Sequence, residues 1–226
     1  DTNLVLKPLE DNIAPDITDE ETLFLNTNFR VDFVPVLEGP WLFNATYALG
    51  SRLNQHYSTS YDYLTNTISV APGYNFGNFA LNLAASYGNA LLRDPSYKQY
   101  LNVFSIGPLG RVLLGRNQVL ELYGGIYKQD YNRAPLVPEE DRDSDGKNAY
   151  LSWTWLFQED ALLNLKYELS YDKTDGAWWE NMGNRFTANA LVPLVRKLKL
   201  QLVGDVLIQD YRNRNPVFDN KKRKDR

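Results

Sequence analysis

Cysteine is absent from the 226 residues of this sequence, and histidine occurs once, as His56. Without thiols there is no disulfide framework and no thiolate metal site. A single imidazole supplies neither a histidine-rich metal site nor a catalytic constellation, so we expect no enzymatic activity. The net charge of −4 gives no electrostatic basis for binding nucleic acid.

Long apolar runs are also missing. No run approaches the roughly 18 residues that a membrane-spanning helix needs, and the mean hydropathy is −0.45. This excludes a helical membrane protein, but it does not exclude a membrane β-barrel, because barrel strands are only half apolar. Aromatic residues are abundant at 13%, with 15 Tyr and 5 Trp.

Strict alternation of apolar and polar residues marks the stretch 161–173. A period of two predicts a β-strand with two different faces. In a soluble sheet the apolar face would cover a core, whereas in an outer-membrane barrel it would face lipid and the polar face would line a wet lumen. The apolar set is Leu163, Leu165, Tyr167, Leu169 and Tyr171, and the polar set is Asn164, Lys166, Glu168, Ser170 and Asp172.

The same pattern recurs along the chain, which we treat as one domain, 1–226. The connections alternate between short and long, as in outer-membrane barrels, and many strands run about 10–14 residues where soluble strands usually have about five or six. A twelfth strand is expected to begin within 212–226. The eleven predicted strands are 1–8, 22–36, 41–53, 64–76, 79–87, 97–108, 118–131, 148–157, 161–173, 184–193 and 197–211. Between the fourth and the fifth of them, Gly77-Asn78 predicts a two-residue hairpin turn with glycine first.

Two repeats support a meander of tall hairpins. Strands that lead into short turns are predicted to end at Pro35, Pro72, Pro108 and Pro193, and the first three prolines are about 36 residues apart. The stretch 127–135 is echoed by 208–216, about 80 residues later.

Tryptophans cluster near the connections and predict two aromatic girdles. Trp41, Trp153 and Trp155 lie near short turns, and Trp178 and Trp179 lie near a long loop. The alternative is that these are core aromatics of a soluble β-protein. That arrangement would leave the opposite faces of the strands in excessive contact with water.

We therefore predict an all-β fold, a transmembrane antiparallel up-and-down (meander) β-barrel. About 12 strands fall within this sequence, and about 14 are expected in the complete protein. Bacterial barrels have an even number of strands, and an open edge in lipid would leave backbone groups without partners.

Charged and polar residues of mixed sign are predicted to share the lumen-facing side of the strands. They would either line a pore or pair with one another and hold the interior rigid, and mixed sign favours pairing because selective pores tend towards one sign. Acid–base work by Glu168 and Asp172 lacks any evident nucleophile or supporting residues. The predicted lumen set is Arg30, Asp32, Arg52, Glu121, Lys166, Glu168, Asp172, Lys199 and Asp205.

The stretch 141–146, DRDSDG, has the alternate carboxylates of a calcium loop, at Asp141, Asp143 and Asp145. Glycine at the sixth position would allow a sharp turn, but Ser152 stands where an EF-hand has glutamate. A solvated acidic external loop is the alternative. No other cofactor is expected.

Two short motifs carry a family resemblance: Asp1-Thr2-Asn3-Leu4 at the start, and the basic run 221–226. With the tall meander between them, the chain resembles the C-terminal barrels of outer-membrane proteins that carry N-terminal tetratricopeptide repeats. The surface lipoprotein assembly modifiers belong to this group, and exopolysaccharide-export porins have a similar layout. The resemblance implies a periplasmic helical-repeat domain before residue 1 and no catalytic residues.

The expected function is a conduit or assembly platform for export of a macromolecule, in the outer membrane of a Gram-negative bacterium. Expected partners are outer-membrane lipid, lipopolysaccharide, the helical-repeat domain, and an exported lipoprotein or polysaccharide. The alternatives are a passive porin for small solutes and a structural barrel that anchors another envelope complex. The basic segment 212–226 would be a mobile loop or a contact for lipopolysaccharide phosphates.

Overall fold

The computed structural model describes residues 24–54, 62–93, 96–158, 161–195, 198–215 and 221–225. Its only helices in these ranges are two single 3-10 turns, Pro138–Glu140 and Ala177–Trp179. The strands are β1 (Phe24–Phe33), β2 (Trp41–Leu42), β3 (Ala45–Asn54), β4 (Tyr63–Val70), β5 (Gly73–Asn75), β6 (Phe79–Arg93), β7 (Tyr97–Leu113), β8 (Gln118–Tyr131), β9 (Ser144–Gln158), β10 (Ala161–Thr174), β11 (Asn181–Val195), β12 (Leu198–Asn215) and β13 (Lys221–Asp225).

All strands belong to one antiparallel sheet whose order follows the chain, from β1 through β3, β4 and β6 to β13. The two short strands β2 and β5 pair with each other, and β5 also pairs with β6. The predicted all-β meander is confirmed. Within the described ranges no pairing joins the end strands β1 and β13, so barrel closure stays a prediction. The predicted strand 1–8, the motif Asp1-Thr2-Asn3-Leu4 and His56 lie outside the described residues.

Tight turns close several of the short connections. Gly39, Gly77 and Gly115 have φ values of 74°, 101° and 74°, in the region that favours glycine. At the predicted Gly77-Asn78 hairpin, the Phe76 N–H donates to the Phe79 carbonyl at 2.7 Å. This two-residue turn with glycine first is confirmed, and it fixes the register of the strands that follow it.

The prolines act differently from one another. The chain leaves β4 just before Pro72 and returns as β5, because proline has no N–H to donate to a ladder. The predictions that strands end at Pro108 and Pro193 were wrong. β7 continues to Leu113 because its pairing with β8 passes over Gly107 and Pro108, and β11 continues to Val195 through a register shift after Pro193.

The burial pattern is the reverse of that in a soluble domain. Among the described residues the buried apolar side chains are only Leu109, Tyr123, Ala161 and Tyr211, and no large side chain is fully buried. The buried polar residues are more numerous: Asn54, Asp62, Asn82, Ser144, Ser152 and Asn181. The described sheet therefore has no apolar core, and its large apolar side chains lie on its surface.

Candidate functional site

One face of the sheet is apolar and exposed, and we call it the apolar face. On β10 Leu165 is 42% exposed and Tyr167 is 39% exposed, and in register with Tyr167 across β11 and β12 the face continues to Phe186, 52% exposed, and Val206, 54% exposed. At the other end of the meander, Phe29 on β1 is 57% exposed. Soluble monomers rarely expose contiguous apolar patches larger than a few hundred Å², so this face needs an apolar environment.

The apolar face forms a band of limited height. On β6 it begins at Phe79 and continues through Leu83 to Tyr87, and the next residue on that side is Asn89. At about 3.3 Å per residue, the distance from Phe79 to Tyr87 is about 26 Å along the strand. For a strand tilted by about 40° the band is then about 20 Å tall, a little less than the roughly 25 Å of the lipid-facing band of outer-membrane barrels.

Hydrogen-bonded tyrosines and asparagines border the band on the side of the long loops. Each tyrosine hydroxyl donates to the side-chain oxygen of an asparagine on the neighbouring strand. The arrangement gives the upper border of the apolar face a polar row without placing charges in it. The three pairs are Tyr47–Asn66 at 2.9 Å, Tyr87–Asn102 at 2.9 Å and Tyr167–Asn184 at 2.7 Å.

Aromatic rings border the band on the side of the short turns. Trp153, Trp155 and Phe157 follow one another on the apolar face of β9, with ring centroids 6.0 and 5.4 Å apart. Trp41 on β2 packs edge-on against Tyr74 with centroids 5.2 Å apart. Three of the predicted girdle tryptophans therefore lie together on one face, at the same end of the sheet.

Trp179 does not join that face. It lies with Trp178 in the 3-10 turn Ala177–Trp179, where Trp178 is half-buried. The Trp179 ring contacts the polar side of the sheet: the Arg142 guanidinium lies 3.9 Å from its centroid and the Tyr211 ring lies 6.3 Å away. An outward girdle position for Trp179 was therefore wrong, since the turn folds this ring inward over the polar face.

The same turn is held by Glu180. Its carboxylate accepts hydrogen bonds from the Tyr171 hydroxyl and from Arg212, the latter at 3.1 Å. The Tyr171 hydrogen bond, followed by the charge of Arg212, holds the pKa of Glu180 below its usual range. The Asn213 amide donates to the Ala177 carbonyl at 2.7 Å, so β12 fixes the turn as well.

The opposite, polar face carries a connected belt of charges that crosses β7 to β10. Glu121 accepts from Arg111 and from the Tyr150 hydroxyl, each at 2.6 Å. Lys166 lies 4.0 Å from the Tyr150 ring centroid and pairs with Glu168 at 2.7 Å. Positive and negative groups alternate along the belt, as a rigidifying network of pairs requires.

The belt extends onto β11 and β12. Glu168 is opposite Arg185 in register, and Arg185 pairs with Asp205 at 3.3 Å. Thr187 donates to the same Asp205 carboxylate at 2.8 Å. Six neighbouring strands, β7 to β12, are therefore linked across one face.

The register places all nine predicted lumen residues on this polar face, but it does not bring them into one cluster. Glu121, Lys166, Glu168 and Asp205 belong to the belt, and Asp172 accepts hydrogen bonds from Tyr127 and Asn181 nearer the long loops. At the far edge Arg30 pairs with Asp32 at 2.8 Å. The remaining two are Arg52, half-buried opposite Asn26, and Lys199, exposed opposite Pro193.

Sequence reasoning missed five residues of the polar face: Arg111, Tyr123, Tyr127, Tyr150 and Arg185. Tyr123 and Tyr150 stack with centroids 5.2 Å apart, and neither was assigned to a face from the sequence alone. Alternation does contain the signal, because in register Tyr123 and Tyr150 lie on the same side as Glu121. Recognising it requires the pairing of strands as well as the pattern within each one.

The predicted calcium ligands divide between the two faces. β9 begins at Ser144, so Asp145 is a strand residue, and its alternation places it on the apolar side opposite Lys128 and Lys173. Gly146 makes no sharp turn there; it leaves room for the Tyr127 ring. The loop prediction was wrong for these two residues because the ladder with β8 and β10 extends to Ser144.

A different trio of carboxylates comes together, from Asp141, Asp143 and Asp175, with oxygens within 4.8 Å of one another. The Tyr131 N–H donates to Asp143 at 2.7 Å, and the Asp143 N–H donates to Asp141 at 3.0 Å. Oxygen ligands of this kind suit calcium, although calcium takes six to eight of them. Calcium binding therefore stays a prediction, with Asp175 in place of Asp145.

None of the helices in the described part of the chain is long and apolar enough to cross a membrane. Comparison with protein-family models, with curated proteins and with solved structures finds no match to the chain.

Proposed function

We propose that this chain forms the wall of a β-barrel in a bacterial outer membrane, where it serves as a conduit or assembly platform for export of a macromolecule to the cell surface. The observation that carries this proposal is the exposed apolar face, backed by a polar face whose side chains bond to one another. In water this arrangement would expose the apolar side chains and bury polar ones. In a bilayer the same arrangement satisfies both faces.

The membrane location has a direct consequence for the sheet edges. Backbone N–H and C=O groups of β1 that lack a strand partner would be unsatisfied in hydrocarbon. Membrane insertion therefore requires the meander to close into a barrel, with β1 paired to a strand from the opposite end of the meander. Lipid would cover the apolar face, lipopolysaccharide would meet its border near the long loops, and a periplasmic helical-repeat domain would deliver the cargo, a lipoprotein or a polysaccharide.

The charge belt bears on the choice between a conduit and a porin. Ion-selective pores favour rings of one sign, whereas the belt from Arg111 to Asp205 alternates in sign and its members neutralise one another. A wall of this kind supports a passage of fixed shape. It gives no reason to expect selection of small ions.

Membrane insertion is tested first. The full-length protein, expressed in a Gram-negative host, is expected to fractionate with the outer membrane, to require detergent for extraction, and to change gel mobility on heating. A monodisperse protein in buffer without detergent, with no heat-modifiable mobility, would contradict the proposal.

Export is tested separately. Deletion of the gene in its native host is expected to abolish surface display of one envelope macromolecule, and purified protein in planar bilayers is expected to show little steady conductance. Large, constant conductance with unaltered surface composition would favour the passive porin. A barrel that neither conducts nor affects the surface composition would favour a structural anchor.

A further inference from the structure

The three regularly spaced prolines of the sequence meet in space. Pro35, Pro72 and Pro108 all line one crevice of about 750 Å³, which we call the proline crevice. It lies near the short turns, beside the place where β4 breaks and β5 begins. The spacing that predicted a hairpin repeat thus also builds a local feature, because the three prolines stand at equivalent heights on neighbouring parts of the meander.

The crevice lies where the strand ladder is interrupted between β4 and β5. Several backbone groups at this break still form hydrogen bonds. The Ala71 N–H donates to the Asn44 carbonyl at 2.7 Å, and the Leu83 N–H donates to the Pro72 carbonyl at 2.9 Å. The Asn82 side-chain amide donates to the Ala71 carbonyl at 3.1 Å. These bonds hold the walls apart, so an occupant needs to supply no hydrogen bonds to these backbone groups.

The chemistry of the lining is apolar. Among the described residues that line the crevice none is charged, and only Trp41, Tyr74 and Asn82 bring polar side-chain atoms. Asn82 is buried; its side-chain N–H donates to the Ala71 carbonyl, and its Oδ1 accepts no hydrogen bond among the described residues. The volume falls in the range of about 300–1,000 Å³ that is common for ligand sites, and the lining favours a hydrocarbon ligand.

We propose that the proline crevice binds one acyl chain of a bilayer phospholipid in an ordered position. The inference rests on the proposed function, since it needs the apolar face to lie in lipid. Two observations select this occupant: the crevice opens onto that face, where its lining residue Trp41 is 62% exposed and Leu83 is 51% exposed, and its described lining is mostly apolar and holds no charged side chain. A void of this size facing hydrocarbon would leave its lining without contacts.

The experiment compares two matched variants of the full-length protein. Leu83→Phe adds bulk inside the crevice, and Leu165→Phe adds the same bulk on the apolar face of β10, away from it. After extraction and extensive detergent exchange, native mass spectrometry counts phospholipid molecules that remain on the protein. We expect wild type and Leu165→Phe to retain one phospholipid, and Leu83→Phe to retain at least tenfold less. Leu81→Phe is a second filling variant, and heat-modifiable mobility verifies that each variant is folded.

A second readout separates this inference from the proposed function. A variant that keeps Trp155 and has phenylalanine at the other tryptophans reports insertion through fluorescence quenching in vesicles of a phosphatidylcholine brominated on its acyl chains. No quenching would overturn both proposals. Quenching of Trp155 together with equal lipid retention in Leu83→Phe and wild type, or with no retention in either, would overturn only the acyl-chain site. A change of oligomeric mass in Leu83→Phe would overturn it too, because a second copy of the chain would then occupy the crevice.

Discussion

Leu165 and Lys166 are neighbours in sequence on β10, and their surroundings differ completely. Leu165 lies on the apolar face, 42% exposed, with other apolar side chains beside it and none above it. Lys166 lies on the polar face, where it pairs with Glu168 and stacks on Tyr150. In a soluble sheet the apolar side would be covered and the charged side would be free. In this sheet, therefore, the polar face makes the side-chain contacts within the protein. The apolar face relies for its contacts on the medium that surrounds it.

The largest effect is expected from a charge placed on the apolar face. Leu165→Arg places a charge near the middle of the band and should lower the free energy of unfolding by about 2–4 kcal/mol in a bilayer. Lys166→Ala should cost less than about 1 kcal/mol, because it removes one partially exposed ion pair. Urea unfolding of the protein in phospholipid vesicles measures both. Equal tolerance at the two positions would count against a lipid-facing surface.

A smaller effect tests the polar half. Glu121→Gln removes the charge that joins Arg111 to the belt, and since hydrogen bonds to charged groups are worth about 1.5–3 kcal/mol, we expect a loss of about 1–3 kcal/mol. Asp32→Asn is the matched control, because its pair with Arg30 is well exposed and contributes little to stability. The same unfolding measurement applies. A larger loss from Asp32→Asn than from Glu121→Gln would show that the belt does not stabilise the fold.

The strands were predictable from sequence because a period of two is a local property. The alternation of 161–173 predicted β10 within a residue, and Gly77-Asn78 predicted its hairpin. Strand ends were predicted less well, because whether a ladder passes Pro108 depends on whether the neighbouring strand can omit a pair there, as β8 does at Gly124 and Gly125. No single stretch of the sequence shows this, because it depends on two strands at once.

The candidate site shows the same limit. Charged residues revealed which face was polar, since a charge strongly prefers polar surroundings. Tyrosine has both an apolar ring and a hydroxyl, and it occurs on both faces. Tyr167 lies on the apolar face, where its hydroxyl donates to Asn184, and Tyr150 lies on the polar face, where its hydroxyl donates to Glu121. In the same way Asp175 reaches Asp141 and Asp143 only because two loops meet, and no spacing rule connects residues that far apart.

The smallest effect is expected at the cluster of three carboxylates from Asp141, Asp143 and Asp175. Asp175→Asn removes one of three clustered carboxylates, and its own carboxylate has no hydrogen-bond partner among the described residues. Two unit charges 4 Å apart in water repel by about 1 kcal/mol. In the presence of a chelator the variant should therefore be more stable than wild type by up to about 1 kcal/mol. Asp145→Asn, on the other face between Lys128 and Lys173, should not be stabilised.

Added calcium should reverse the sign of the stability difference between Asp175→Asn and wild type. It should not do so for Asp145→Asn. If the trio holds the ion, added calcium raises the melting temperature of wild type and of Asp145→Asn, while Asp175→Asn loses that increase because one ligand is gone. A calcium-dependent increase that survives in Asp175→Asn and disappears in Asp145→Asn would assign the ion to the spacing in the sequence and contradict the geometry of the fold. No increase in any of the three proteins would mean that the hydrogen bonds from Tyr131 and Asp143 are sufficient to hold the loop.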